Sequence, residues 1–400
     1  MPRSAWYPNL PRQRKAHDLS MRPLAPLMSL LVLGCVGELY SPGQRDAPQD
    51  LGPRRDLWLV PDRGAPPDGG FEHDVKPPSP DQKTPAAQNP LSKVKLWGYQ
   101  IQHLTASGAV SELVSSKYDM LVLEPTRTDK HTSSFDTKAM VAKLHASQGK
   151  SGSPKIVVAY IDIGEAENWR YYWKSWWTEP TEDDGGDPDF LITTDPDGWR
   201  GNYPVAYWDK RWKNIIIYNS DSMLQKAIDD GFDGIYMDWV EGYANKKVKA
   251  AAKDAGKDPA VEMIHFIAEI RAYARKQNPG FLVIAQNAPG LVDGHPEYLK
   301  EIDALAQEQV YFDGDADTNW SHPDSCDQVV PNSGSTYSRS YYLKKLMVYQ
   351  SAGLPVFNCE YACDADNVDE AYTESAKHGF VTYVTRRPLS KLTTTPPPGY

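Results

Sequence analysis

Asp238 and Glu308 are the two side chains of this sequence best placed to do chemistry together. Each ends a short apolar run, Gly234-Ile235-Tyr236-Met237 before the aspartate and Ala304-Leu305-Ala306-Gln307 before the glutamate. In a parallel barrel, groups at the C-terminal ends of strands face the mouth where catalysis occurs. Two carboxyl groups flanking one glycosidic bond can cleave it: one protonates the leaving oxygen, the other attacks or activates water. That division of labour needs environments that split their pKa values. The apolar stretch before Glu308 predicts partial desolvation and a raised pKa, which suits a general acid/base. Asp238, nearer polar neighbours, is expected to stay ionised and act as nucleophile. Trp239 beside it offers a flat face to a sugar ring. The competing roles are structural: Asp238 as the cap of a following helix, Glu308 as one half of an ion pair.

Other polar groups end other strand-like runs. Tyr99 and Gln100, Glu124, Asp162 and Glu165, Asn287, Glu360, and Arg386 with Arg387 converge on the same mouth by position. Asp162, Glu165 and Asn287 are expected to bind sugar hydroxyls and amines or to tune the pair, and Glu360 to join them. Tyr99, Trp208 and Trp239 are the candidate stacking rings. The sequence carries no Gly-x-Ser-x-Gly elbow and no His-Glu-x-x-His pair, which argues against serine and zinc hydrolases. The Asp-x-Asp-x-Glu pattern of chitinase-like barrels is absent around Asp238. No metal or organic cofactor is expected.

Eight strand-like runs position these groups: Val94 to Ile101, Met120 to Glu124, Lys155 to Ile163, Gly234 to Val240, Phe281 to Gln286, Ala304 to Phe312, Pro355 to Tyr361 and Phe380 to Thr385. Most are near-continuously apolar, as parallel strands covered on both faces are. Helical patterns alternate with them at Asp136 to Ser147, Leu224 to Asp230, Val261 to Gln277, Tyr337 to Ser351 and Val368 to His378. Eightfold alternation predicts a (β/α)8 TIM barrel, a single catalytic domain behind an N-terminal tether. A doubly wound open sheet is the alternative, weakened by the lack of a Gly-x-Gly-x-x-Gly turn after the first strand. Between Glu165 and Tyr207 lies a Trp-rich insertion, expected as a loop on the functional face, with its indoles divided between packing and sugar stacking.

The first 35 residues read as a leader. Pro23 to Leu33 is an apolar run too short to span a bilayer, and Leu33-Gly34-Cys35 resembles a lipobox, which would make Cys35 a lipidated N-terminus. Met21 is a candidate start. Residues 36–92, rich in Pro, Asp and Gly, are expected to be a disordered tether, residues 93–392 the barrel, and 393–400 a tail. The protein is thus expected to be exported and held at a bacterial membrane or cell surface through a lipid anchor at Cys35. Of the remaining cysteines, Cys326 and Cys363 are expected to form a disulfide because Cys359 falls inside a strand; zinc on His322, Cys326 and Cys363 matches no common spacing. The net charge of −10 argues against a nucleic-acid partner and would favour a cationic polymer.

Several stretches together resemble glycoside hydrolase family 114. They are Trp97-Gly98-Tyr99-Gln100, Ala159-Tyr160-Ile161-Asp162-Ile163-Gly164-Glu165-Ala166, Tyr207-Trp208, Gly231-Phe232-Asp233-Gly234-Ile235-Tyr236-Met237-Asp238, Gln286-Asn287 and Gln307-Glu308. That family comprises endo-α-1,4-polygalactosaminidases and relatives in bacterial exopolysaccharide systems. The resemblance, from about Val94 to Leu389, implies a (β/α)8 barrel with its catalytic pair on strands four and six, here Asp238 and Glu308. It also implies an α-1,4-linked galactosamine polysaccharide as substrate. Gln307 stands where the family often has Asn, and the Trp-rich insertion is long, both of which bear on substrate preference. A surface polysaccharide-binding protein without turnover is the alternative function.

Overall fold

The computed structural model describes residues 89–125, 134–334, 337–393 and 395–400. The leader, Cys35 and nearly all of the expected tether lie outside the described residues. Eight parallel strands form one sheet: β1 (Trp97–Gln100), β2 (Met120–Leu123), β3 (Ile156–Asp162), β4 (Gly234–Asp238), β5 (Leu282–Gln286), β6 (Ala304–Glu308), β7 (Val356–Tyr361) and β8 (Val381–Thr385). Each pairs with its sequence neighbour. β1 and β8 come together through the Trp97 indole N–H on the Val381 carbonyl, 2.9 Å, and the Ile101 N–H donates to Leu389 beyond β8, 3.0 Å. The sheet is a nearly closed (β/α)8 barrel, and the open doubly wound alternative is set aside.

Aromatic side chains fill the interior. Trp97 and Tyr99 of β1 reach Tyr236 of β4 with ring centroids 6.3 and 5.0 Å apart, a contact across the barrel, and Trp97 also meets Phe357 of β7. All four are buried. Such a packed interior leaves only the rim for chemistry.

The helices start where the sequence supplies caps. Asp258 accepts the N–H groups of Ala260 and Val261 ahead of the helix Pro259–Gln277, and Asp136 and Ser222 do the same for Thr137–His145 and Met223–Asp229. Helices at Arg339–Ser351 and Ala365–Lys377 complete the expected set. Two more, Ala109–Ser115 and Lys246–Asp254, had no clear apolar signal, the first for brevity and the second for its four lysines.

The body extends further than the sequence suggests. Leu91 is buried and the Asn89 amide donates to the Asp303 carbonyl, 2.8 Å, so residues 89–92 belong to the barrel and not to the tether. At the other end Tyr400 packs its ring against Tyr118 at 5.2 Å, which makes the expected tail part of the domain. Cys326 and Cys363 form a disulfide, so their sulfurs bind each other and no zinc ion, and Cys359 is a buried thiol within β7.

The insertion after β3 folds back as a two-stranded antiparallel ribbon, Glu165–Glu167 with Asn202–Pro204. Its indoles divide by position. Trp212, just beyond, is buried with its N–H on the Ile163 carbonyl at 2.8 Å; Trp173 and Trp177 pack partly against the core; Trp176 is 73% exposed.

Candidate active site

A cleft of about 290 Å³ opens at the C-terminal ends of the strands. Asp238 and Glu308 both line it, together with Tyr99, Glu165, Trp239 and Asn287. Asp238 leaves the end of β4 opposite Asp162 of β3 in register. One of its carboxylate oxygens accepts the Tyr160 hydroxyl at 2.6 Å, the other the Trp239 backbone N–H at 2.7 Å. Tyr160 sits two residues below Asp162 on β3, so it reaches Asp238 from one layer deeper in the barrel.

Trp239 follows in a left-handed conformation, φ 54°, which costs a non-glycine residue free energy and marks a constrained turn. Two glycines make room for it. A Cβ on Gly164 would lie 2.3 Å from the Trp239 carbonyl oxygen, and one on Gly242 would lie 2.4 Å from its ring. The indole packs close to both glycines, beside the Asp238 carboxyl group.

Glu308, buried at the end of β6, is held on both oxygens. One accepts the Tyr361 hydroxyl; the other accepts the Gln286 amide and, at 3.3 Å, the Asn287 amide. Asn287, also left-handed at φ 54°, accepts the Glu308 backbone N–H on its own side-chain oxygen at 3.0 Å. It therefore fixes both the main chain and the side chain of Glu308.

A third carboxyl group, Glu241, stands three residues after Asp238 on the short turn Val240–Ala244. Asn287 donates to it at 3.2 Å and so links it to Glu308. Burial, with Asp238 as the nearest negative neighbour, holds Glu241 well above the usual carboxylate range. Burial, then the charge of Glu308, pushes Asp238 up to about 7, against the lowering effect of its two hydrogen bonds. The sequence leads one to expect an Asp238 kept ionised by polar surroundings. The polar neighbours are present, but desolvation and the second carboxylate outweigh them.

Other groups shape the walls. Arg170 is buried and pairs with Glu124 and Glu167, tying the end of β2 to the inserted ribbon. Glu165 is held above the carboxylate range by burial, then by Asp162 and Asp195. Asp195 beside it accepts the N–H groups of Asp197 and Trp199 at 2.9 and 2.8 Å. That chain of bonds presents Trp199 and Asp197 to the cleft. The Arg387 guanidinium lies over Tyr361 and Trp199 at 5.2 and 5.6 Å.

Three expected substrate contacts fall elsewhere. Asp162 is buried and accepts the N–H groups of Gly164 and Glu165 at 3.0 and 2.8 Å; it shapes the turn and does not line the cleft. Burial, with Asp238 next, raises it well above the carboxylate range. Glu360 is wholly buried: its oxygens take the backbone N–H groups of Val310, Tyr311 and Phe312 at 2.8–3.1 Å. It builds the loop after β6 and is out of reach of a ligand. Trp208 packs edge-on to Tyr207 at 5.0 Å against the core, and Trp169 and Trp199 are the indoles of the insertion that line the cleft. Tyr160, Gln286, Tyr361 and Glu241 are not marked as site residues by position in the sequence, whereas Arg387 is among the groups expected at the mouth. For Gln286 and Tyr361 a signal existed, since each ends a strand neighbouring or near that of Glu308.

The comparisons with known proteins fit this geometry. The model of glycoside-hydrolase family GH114 matches residues 79–397. An uncharacterized protein of Deinococcus radiodurans is 31% identical over 321 residues, covering 79% of this chain and 88% of the relative. Another, from Methanocaldococcus jannaschii, is 33% identical over 222 residues, 55% of this chain and 57% of its own length. Among solved structures, the crystal structure of Aspergillus fumigatus Ega3 in complex with galactosamine superposes with a TM-score of 0.50 at 17% identity, over 75% of this chain and 94% of that one. The last likeness is one of fold. The chain belongs to glycoside-hydrolase family GH114, and that membership makes it a glycosidase.

Proposed function

We propose that this member of family GH114 hydrolyses an α-1,4-linked polysaccharide containing galactosamine, and that Asp238 and Glu308 are the groups that do so. The observation that carries the reading is the convergence of Asp238, Glu308 and Glu241 on one cleft floor flanked by indoles. Carboxylates there would attract a protonated amino sugar, and the indoles would hold its ring. The galactosamine bound by Ega3 supports the same sugar class.

The raised pKa of Asp238 favours an exchange of the roles expected from sequence. Asp238, at about 7, carries a proton through much of the neutral range and is the proposed acid/base. Glu308, aimed by three side-chain donors, is the proposed nucleophile. Retention of configuration follows if the two groups stand about 5 Å apart; proton NMR of the first-formed product would read the anomer, and an inverted one would sink that part. The roles have a separate test in the pH profile. With Asp238 as acid, kcat/KM falls as pH rises through about 7. The Tyr160 hydroxyl bond lowers the Asp238 pKa, so Tyr160→Phe should move that limb to higher pH. An activity that instead climbs through pH 7 would return the nucleophile's role to Asp238.

The proposal extends to location. The apolar run Pro23 to Leu33 and the Leu33-Gly34-Cys35 stretch support export and lipid anchoring at Cys35. Cys35→Ala should move the protein from the membrane fraction to the soluble one. Unchanged partitioning would remove Cys35 from the account.

A further inference from the structure

A second, larger cavity of about 780 Å³ adjoins the cleft and shares Asp197, Trp239, Glu241 and Asn287 with it. The two lie on different sides of the barrel mouth. The cleft is walled mainly by segments following β1, β2, β3 and β8, the second cavity by segments following β4, β5 and β6. Asp238 and Glu308 therefore stand near the junction and not at a blind end.

The second cavity has the chemistry of a sugar site. Tyr243, Tyr341 and Tyr342 line it, with the rings of Tyr341 and Tyr342 5.7 Å apart. Phenol rings give flat apolar faces with a polar rim, which is what pyranose rings present in return. Gln307, Gln309 and Asn245 add amides suited to hydroxyl groups. At the junction stands Glu241. One of its oxygens accepts from Asn287; the other is buried with no hydrogen-bond partner among the described residues. A buried acceptor left open is costly unless a ligand fills it. An ammonium group, with three donors and a positive charge, is the complement, and its charge offsets the burial that otherwise keeps Glu241 protonated.

We propose that this tyrosine-walled cavity is a further binding site for consecutive units of the same polymer, with Glu241 selecting a free 2-ammonium group on the sugar at the junction. The inference rests on the amino-sugar reading above and deepens it. A chain lying across both cavities passes over the catalytic pair with units bound on either side, so cleavage falls inside the chain. An N-acetylated unit offers Glu241 one amide donor and no charge, and binds there less well.

The test is calorimetric titration of α-1,4-linked galactosamine oligomers, two to seven units long, into the Glu308→Gln protein, which holds them without turnover. Affinity should rise with length. Adding Tyr341→Ala should weaken the longest oligomer about tenfold and the shortest little, the size of one lost stacking contact. Tyr341→Phe, which keeps the ring, should restore the length dependence, and thermal melting reports whether each variant is folded. Glu241→Gln should erase the preference for free-amine over N-acetylated oligomers. A folded Tyr341→Ala protein with undiminished length dependence, or a Glu241→Gln protein with undiminished amine preference, overturns the proposal. Failure of all oligomers to bind overturns it together with the amino-sugar reading. Length-dependent binding by a wild type that releases no product sinks the hydrolase reading alone and leaves this site standing.

Discussion

Asp238→Asn is expected to lower kcat by about 10³-fold or more, within the range of a lost general acid or covalent step, with much smaller change in substrate binding. Asparagine keeps the shape and can still accept the Trp239 N–H, while its amide can donate to the Tyr160 oxygen. What it loses is the titrating proton. The same substitution should stabilise the fold at high pH. The Asp238 pKa is raised in the folded state, so its contribution to stability is complete below the unfolded value of about 3.9 and is lost as pH rises through about 7. At pH 8 the wild type carries that buried charge and the variant does not. Single-turnover kinetics and melting curves at pH 5 and pH 8 give both readings. Full activity in Asp238→Asn would remove it from the chemistry, and a Tm that fell equally at both pH values would contradict the linkage.

Arg170→Leu is expected to cost about 3–5 kcal/mol, the range for breaking a buried ion pair by removing one partner. The guanidinium is buried between Glu124 and Glu167, and burial would raise the energy of the charged arginine were it not for those two carboxylates. Leucine fills part of the volume and leaves both acids without their counter-ion in a wall of the cleft. Urea unfolding should show a lower midpoint, and activity should fall with it because Glu167 belongs to the ribbon that carries Glu165. Glu124→Gln with Glu167→Gln in the same protein should recover part of the loss. A midpoint unchanged from wild type would mean that the triad is not what joins the insertion to the barrel.

The barrel was legible because its strands are near-continuously apolar and its helices are capped by Asp, Asn and Ser. Runs such as Met120–Leu123 and Ile156–Asp162 admit few readings other than covered parallel strands. The catalytic pair was legible as acids at strand ends. Position along a strand does not reveal which face a residue takes, and there the reading failed. Cys359 lies opposite Glu308 in register, so Glu360 is one residue out of phase and turns to the other side. There it shares Asn358 with Ser375 of the outer helix. The place of Glu241 is not legible in the sequence because it depends on the left-handed turn at Trp239, for which two close glycines make room and which no local propensity announces. The side-chain hydrogen bonds that hold Asp238 and Glu308 come from β3, β5 and β7, contacts between residues more than 20 positions apart.

Hydrolysis of an amino-sugar polymer is tested by reducing-end release from partially deacetylated α-1,4-galactosaminogalactan by the wild type, with Glu308→Gln as control. The wild type should release a ladder of oligosaccharides and the variant none. Binding of the polymer by both proteins with no release by either would contradict it and leave a polysaccharide-binding barrel in its place.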